Sequence, residues 1–436
     1  MVEPRRGWDV VVIGAGPAGL MAAIAAREAG ARTLILEKGH KPGRKLGISG
    51  GGRCNVTNAK PLPELLENIP GNGRFLYSAL TRFGNRDVMA FFERLGIRLK
   101  EEDRGRVFPI SDKAQTVVQA LVSHVLDIGV AMWLDCPVQA LCTRSDIDGP
   151  VLTGVSLKDG RIIETLSVVV ATGGCSVPKT GSTGDAYPWA RAVGHTIVQP
   201  YPTEVPLTSP DPLIRSRSLQ GLSIRGTSVT IRRQDGRRLT TETGDLLFTH
   251  FGLSGPAALR CSHYVSTAML KDANVRLSAE IDGIPDVSSG ELDNHLRKAR
   301  KVTPRKHVKT CLAEHMPERL ANAILVRTQI DGGLTMANLP NDGLAQLVQV
   351  SKRFSLPIDG TLPLAQATVT GGGVSIKEID PRTMASKKCK GLYFAGEVMD
   401  VHAHTGGYNI TVAFSTGHLA GASAAQHAAT LAPALG

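Results

Sequence analysis

Three glycines, Gly14, Gly16 and Gly19, stand in GxGxxG spacing directly after the apolar run DVVVI (Asp9 to Ile13), and an acid, Glu37, follows 23 residues after Gly14. That pattern suits one chemistry, the holding of a dinucleotide by its pyrophosphate and ribose. Gly14 permits a tight turn, Gly16 lets backbone amides approach a pyrophosphate, and Gly19 lets a helix pack closely on a strand. The start of that helix carries about half a positive charge for the phosphates. A carboxylate ending the next strand accepts hydrogen bonds from ribose hydroxyls, and an acid there disfavours a 2′-phosphate.

The rest of the chain indicates which dinucleotide is meant. Gly-rich segments recur at residues 43–58, 171–174 (Gly173 among the expected contacts), 369–373 and 392–407. Each is a place where backbone can come close to a large ligand. A long cofactor touched by several dispersed loops points to FAD lying extended through its domain. No second GxGxxG follows a strand, so a nicotinamide reductant, NAD(P)H, is expected to bind only transiently.

These residues need elements to position them. Asp9 to Ile13 reads as a buried strand, Pro17 to about Ala29 as an Ala-rich helix that Gly30 is placed to end, and Arg32 to Leu36 as a second strand, together one βαβ unit. Helical patterns over 86–95 and 114–126 lead into a β-rich stretch ending at Val170. Between Pro200 and about Ile284, short strands punctuated by Gly, Pro and Thr read as an inserted barrel or sandwich. Residues 286–350 are helical in period, and 354–369 returns to strand. A last strand and a long helix of small residues repeat the grammar of the first domain, so the C-terminal segment is expected to complete it.

Composition narrows the class. A chain of 436 residues exceeds what one core usually serves, so two or three units are expected. Seven cysteines without CxxC or Cys/His ligand spacing argue against a zinc site, a disulfide framework and a redox disulfide beside the flavin, and fit a reducing cytoplasm. No apolar run approaches the ~18 residues of a membrane span, and Arg5 and Arg6 lead straight into a strand, so a soluble cytoplasmic protein is expected. The net charge of +11 is uneven: Arg215 to Arg238 holds seven arginines and one acid, and Arg297 to Lys309 holds seven basic residues and no acid. Such runs attract polyanions, or else form the solvated surface of a basic protein.

Four longer runs carry a more specific signal: GRKLGISGGGRCNVTN (43–58), GRVFPISDKAQTVVQAL (105–121), LLFTHFGLSGPAAL (246–259) and GLYFAGEVMDVHAHTGGYNITVAFSTGHLAG (391–421). In this order and over nearly the whole chain, they resemble the BaiN-like family of FAD-dependent oxidoreductases, which includes aminoacetone oxidase and ribosomal-RNA dihydrouridine synthases. The resemblance implies an α/β fold: an FAD-binding Rossmann-like domain of the glutathione-reductase type over 1–195 and 369–436, an inserted β-barrel over 196–284 and 351–368, and a small helical domain over 285–350. It places Gly14, Gly16, Gly19 and Glu37 on the ADP half of FAD, Lys45, Ser49, Gly50, Arg53 and Asn55 on the pyrophosphate-to-flavin side, and Val138 at the adenine. Glu397, Gly407, Asn409 and Ile410 fall at the ribityl and pyrimidine end, where the amides of the last helix would face the negative charge of a reduced flavin. The family usually has Gly where this chain has Ala403.

Hydride transfer to an activated double bond needs a proton donor on the opposite carbon. By motif position His250, Cys54 and His404 are the candidates, with His402 and Tyr408 beside them. His250 precedes the FGLSGP turn and could face the flavin, or it bonds its own loop. His402 and His404 are two apart and point oppositely in extended chain. Cys54 is a donor or a buried inert thiol, and Ser254 lacks the GxSxG elbow and reads as a turn. The function the resemblance implies is FAD-dependent, NAD(P)H-driven reduction of uridine to dihydrouridine in 23S ribosomal RNA, with the basic runs as docking surface. The alternatives are oxidation of a small amine or reduction of a small enone, and an RNA-binding assembly factor with structural FAD.

Overall fold

A computed structural model describes residues 7–431; Arg5 and Arg6 lie outside the described residues. The chain divides into two compact units, one running to Tyr201 and resuming at Val369, the other Pro202–Thr368.

In the first unit the strand Trp8–Ile13 is apolar without alternation because both of its faces are covered, and Val10, Val11 and Val12 expose nothing. It pairs in parallel with Thr33–Leu36 on one side and with the C-terminal half of Ile162–Val170 on the other. Ala131–Trp133 extends the sheet beyond Thr33–Leu36. Leu392–Phe394, from the far end of the sequence, pairs in parallel with Val168, Val169 and Val170. The N-terminal half of Ile162–Val170 instead runs antiparallel to Val151–Leu157, which pairs with Val138–Arg144. One long strand thus serves a parallel sheet with one half and an antiparallel meander with the other.

The helix Pro17–Glu28 stops where Gly30 takes φ +89°: Gly30 N–H donates to Arg27 O and Ala31 N–H to Ala26 O, a Schellman ending. Against it lies the 24-residue helix Tyr408–Leu431. The two backbones approach so closely that a β-carbon at Gly417 would lie 2.3 Å from Ala18 O, and one at Gly421 would lie 2.0 Å from Ala22 O. These contacts advance in the same direction along both helices, so the helices run parallel. Gly417 lies level with Ala18, one residue after the first helix begins, and Tyr408 precedes Gly417 by nine, which sets the start of the last helix about 12 Å along the axis ahead of the start of the first.

The second unit is a seven-stranded sheet in the spatial order Phe354–Ile358, Leu277–Asp282, Ser223–Arg233, Arg238–Phe248, Gly252–Ser254, Leu207–Thr208, Gly360–Thr361, antiparallel at each pairing. Its two outermost strands are separated in sequence only by Asp359, so the sheet rolls round on itself. The helices Ser289–Val302, Glu318–Thr328 and Asn341–Lys352 bury Leu296, Ile324 and Leu347 in the same core as Val229, Ile231 and Ile281 of the sheet. Strands and helices of this insertion therefore share a single core. Among the described residues no helix is long and apolar enough to cross a membrane, no cluster of His, Cys, Asp or Glu could hold a metal ion, and all seven cysteines are free.

Candidate functional site

The glycine turn is built as its spacing requires, and each glycine has its own reason. Gly14 takes φ +103°, and a β-carbon there would meet Ala171 O at 2.6 Å. At Gly19 a β-carbon would lie 1.8 Å from Gly14 O, so the helix sits directly on the turn. Gly16 is different: its φ of −81° suits any residue, and a β-carbon would meet nothing within 4 Å. The space in front of Gly16 is open at the N-terminus of a helix that no side chain caps, which leaves amides there available to an anion. Beside Gly14, the buried hydroxyl of Thr172 has no hydrogen-bond partner. An open cradle, free helix amides and an orphaned hydroxyl fit the pyrophosphate of a dinucleotide.

Glu37 braces this cradle. Its Oε2 accepts from Ala15 N–H at 2.9 Å, its Oε1 accepts from Gly39 N–H at 2.8 Å, and Arg44 Nη2 lies 3.5 Å from Oε1. The carboxylate thus ties the second strand to the glycine turn and retains lone pairs for a ribose. Arg44 was missed in the sequence, although it stands inside the GRKLG run.

A second cluster surrounds Glu397. Lys45 Nζ donates to its Oε2 at 2.7 Å and to Ser176 Oγ at 2.8 Å; Ser176 Oγ and Thr370 N–H donate to Oε1 at 3.0 and 2.7 Å. Thr370 Oγ1 in turn accepts from Cys175 and Ser176 N–H. Four Gly-rich segments distant in sequence are stitched together here. Gly173 lies against Ser182, where a β-carbon would come 2.9 Å from Oγ. Ser176 and Thr370 are further residues that sequence reasoning passed over; their one signal was a hydroxyl beside a glycine run.

The loop 49–55 is a string of left-handed turns, with Gly50, Gly51, Gly52 and Cys54 all at positive φ. The outward faces of Gly51 and Gly52 are open. The side chains expected to line the cofactor here are partly engaged elsewhere. Ser49 Oγ donates to Leu46 O, and the Arg53 guanidinium is held by Glu102 and Asp112 and stacked over Phe108 at 4.1 Å. The Arg53 guanidinium is therefore occupied by two carboxylates, Glu102 and Asp112. Asn55 Oδ1 accepts from Val107 N–H and lies 3.0 Å from where a β-carbon of Gly407 would stand. Val138 is buried at the start of the meander.

Gly406 and Gly407, at φ +125° and +96°, open the last helix, which begins at Tyr408. A side chain at Gly407 would strike the Thr57 backbone at 2.4 Å. Asn409 clamps the preceding loop: its Oδ1 accepts from Ala403 N–H at 2.8 Å, and its Nδ2 donates to Ala403 O at 2.7 Å and to His404 O at 3.2 Å. Ala403 is not among the positive-φ residues, so its methyl replaces the family's glycine without backbone strain. Ile410, one turn into the helix, is half-buried.

The proton-donor candidates separate by burial. Cys54 exposes nothing, and burial pushes its thiol up to about 12. His404 is buried, its N–H donating to Asn68 O. His402 is also buried, with Nε2 3.4 Å from the Tyr201 hydroxyl, whose own pKa burial raises. His250 is exposed in the second unit, its ring edge-on to Phe251. Ser254 lies in a strand opposite Leu247.

The basic runs are less free than their composition suggests. Arg232 pairs with Glu280, Arg233 with Asp272, Arg297 with Asp293, Lys306 with Glu314 and Lys309 with Glu318.

Comparison with known proteins places this geometry. The chain is 34% identical over 411 residues to a ribosomal RNA dihydrouridine synthase of Escherichia coli K12, covering 94% of this chain and 96% of that protein. It is 28% identical over 426 residues to a 3-dehydro-bile acid delta(4,6)-reductase of Clostridium scindens, covering 95% and 98%. Its fold superposes with a TM-score of 0.52 on the 3-ketosteroid delta1-dehydrogenase of Sterolibacterium denitrificans, at 14% identity over 98% of this chain and all of that one. The chain is thus an FAD-dependent oxidoreductase. The family model described as HI0933-like protein Rossmann domain matches residues 8–423, and the protein belongs to that family.

Proposed function

We propose that this flavoprotein reduces uridine to dihydrouridine in 23S ribosomal RNA with NAD(P)H as reductant. The observation that carries the proposal is near-full-length likeness to a ribosomal RNA dihydrouridine synthase. When bound, FAD supplies transfer of a hydride from NAD(P)H to uracil C6. The chain's part is to hold and orient. Gly16 and the first helix amides take the pyrophosphate and Glu37 the ribose, while Lys45, Glu397 and Asn409 fix the loops of the ribityl and pyrimidine end. The N-terminus of Tyr408–Leu431 favours negative charge at that end. A proton must then reach uracil C5. Of the three candidate donors, His250 is exposed, whereas Cys54 and His404 are buried. The uridine must leave its stack to react, which favours loosened or immature RNA.

The test is a dihydrouridine assay on ribosomal RNA from cells with and without the protein, followed by re-addition of purified protein and NADH. Loss of specific sites and their restoration is the expected result. RNA that stays unchanged while the protein still oxidises NADH overturns the proposal. It would favour the second reading, reduction of a small cyclic enone, which the likeness to the bile-acid reductase supports.

A further inference from the structure

We infer that the inserted unit carries a groove for the phosphates of an RNA strand, built on Arg276, Arg327 and Arg353. This inference rests on the reading of RNA as substrate and assigns that substrate a binding surface outside both basic runs.

The groove has a volume of about 450 Å³, and Gln234, Ser278 and Ser355 add amide and hydroxyl donors to the three guanidiniums. No carboxylate lines it. Arg327 is fixed: its Nη2 donates to Asp211 Oδ2 at 2.8 Å, and its guanidinium lies over the Phe354 ring at 5.6 Å. Asp211 is buried, so one edge of Arg327 is oriented from below while the side chain remains 36% exposed. Arg276 and Arg353 are exposed and have no ion-pair partner among the described residues. The acid opposite Ser355 in the ladder, Glu280, is taken by Arg232 at 2.8 Å. Arg276 and Arg353 therefore bring unpaired positive charge to the groove beside the Asp211-paired Arg327, while in the basic runs Arg232, Arg233, Arg297, Lys306 and Lys309 are ion-paired.

The layout suits a strand rather than a single anion. Arg353 immediately precedes the edge strand Phe354–Ile358, and Arg276 precedes Leu277, which pairs with Ile358 at the other end of that strand. About six residues of extended chain, roughly 20 Å, separate the two backbone positions, the reach of several successive phosphates. Ser355 and Pro357 face solvent along the way. Arginine forks and hydroxyls at that spacing are the chemistry that recognises a polynucleotide backbone without reading its bases.

The experiment compares the FAD-loaded wild-type chain with the double variant Arg276→Gln/Arg353→Gln, titrating a labelled single-stranded, uridine-containing RNA at several salt concentrations by fluorescence anisotropy. Arg297→Gln/Lys309→Gln removes the same charge from two paired residues and serves as the control. Flavin content and thermal midpoint establish that each variant is folded. The groove variant is expected to bind at least about tenfold more weakly, with the slope of log K against log salt reduced by about 1.4, or 0.7 per lost phosphate contact. The control should change neither by as much. Wild type binding RNA while the groove variant matches it in affinity and slope overturns the groove and leaves the RNA reading intact. Equal weakening in control and groove variant also overturns it, since bulk charge then suffices. If the groove variant keeps its RNA affinity but loses discrimination between NADPH and NADH, the groove holds a nucleotide phosphate instead. Wild type failing to bind RNA overturns both readings.

Discussion

Replacing Gly16 with Ala separates a glycine kept for a ligand from one kept for packing. At φ −81° and ψ −178° alanine fits the backbone, and its methyl meets no atom within 4 Å. The apoprotein should therefore keep its stability or gain about 0.4–1 kcal/mol from the stiffer unfolded chain. The same methyl stands where a pyrophosphate oxygen would reach the helix amides. Losing one hydrogen bond to a charged group costs about 1.5–3 kcal/mol, or roughly a 10- to 100-fold rise in the Kd for FAD. Gly19→Ala has the opposite signature, because its methyl would lie 1.8 Å from Gly14 O and neither backbone can yield cheaply. That variant should lose upwards of about 2 kcal/mol before any ligand is added. The assay is a thermal melt of flavin-stripped protein followed by FAD titration read as quenching of flavin fluorescence. Gly16→Ala binding FAD as tightly as wild type would show that no phosphate lies on this turn. An apo Gly16→Ala as unstable as Gly19→Ala would sink the argument that the space before Gly16 is open.

Other perturbations test other parts of the structure. Gly421→Ala should gain about 1 kcal/mol of helix propensity, yet its methyl must move about 1.4 Å from Ala22 O to reach ordinary contact. The net expectation is destabilisation of about 1–2 kcal/mol and weaker FAD retention, and a raised thermal midpoint would refute the close helix crossing. Burial lowers the pKa values of His195, His418 and His427, so in the folded state they resist protonation while the unfolded chain titrates near 6.5. The unfolded state then binds more protons as pH falls through that value, and stability should drop between about pH 7 and 5. His418→Gln, which removes the ring stacked on Phe83 at 4.4 Å, should flatten that slope; a midpoint that is constant or rises on acidification contradicts the assignment. His250→Asn should lower turnover with the oxidising substrate by about 10²- to 10⁴-fold, measured as single-turnover reoxidation of pre-reduced enzyme. A loss smaller than tenfold would remove His250 from the proton path.

Much of the dinucleotide unit was legible because its signals are local. The strand before the turn, the helix from Pro17, the glycine that ends it and the acid closing the next strand all follow from neighbours within about 30 residues. Continuous apolar runs announced buried strands, and the last strand and helix announced a return to the first domain. What that helix met was not legible. Only the fold shows that Gly417 and Gly421 lie on Ala18 and Ala22, setting the offset between the two helix starts.

Residue type and spacing determined that this chain binds a dinucleotide, because turn geometry and helix-end charge are set within a few bonds of the residues concerned. The tertiary structure decided which charges remain available. Arg53, Arg232 and Arg233 stand in the sequence as free cations, yet acids from distant segments pair with them. Arg276, Arg327 and Arg353, scattered over 78 positions and belonging to no run, converge because a sheet edge and two helices bring them to one groove. Coulombic attraction depends on distance in space, and separation along a chain carries little information about it once the chain has folded.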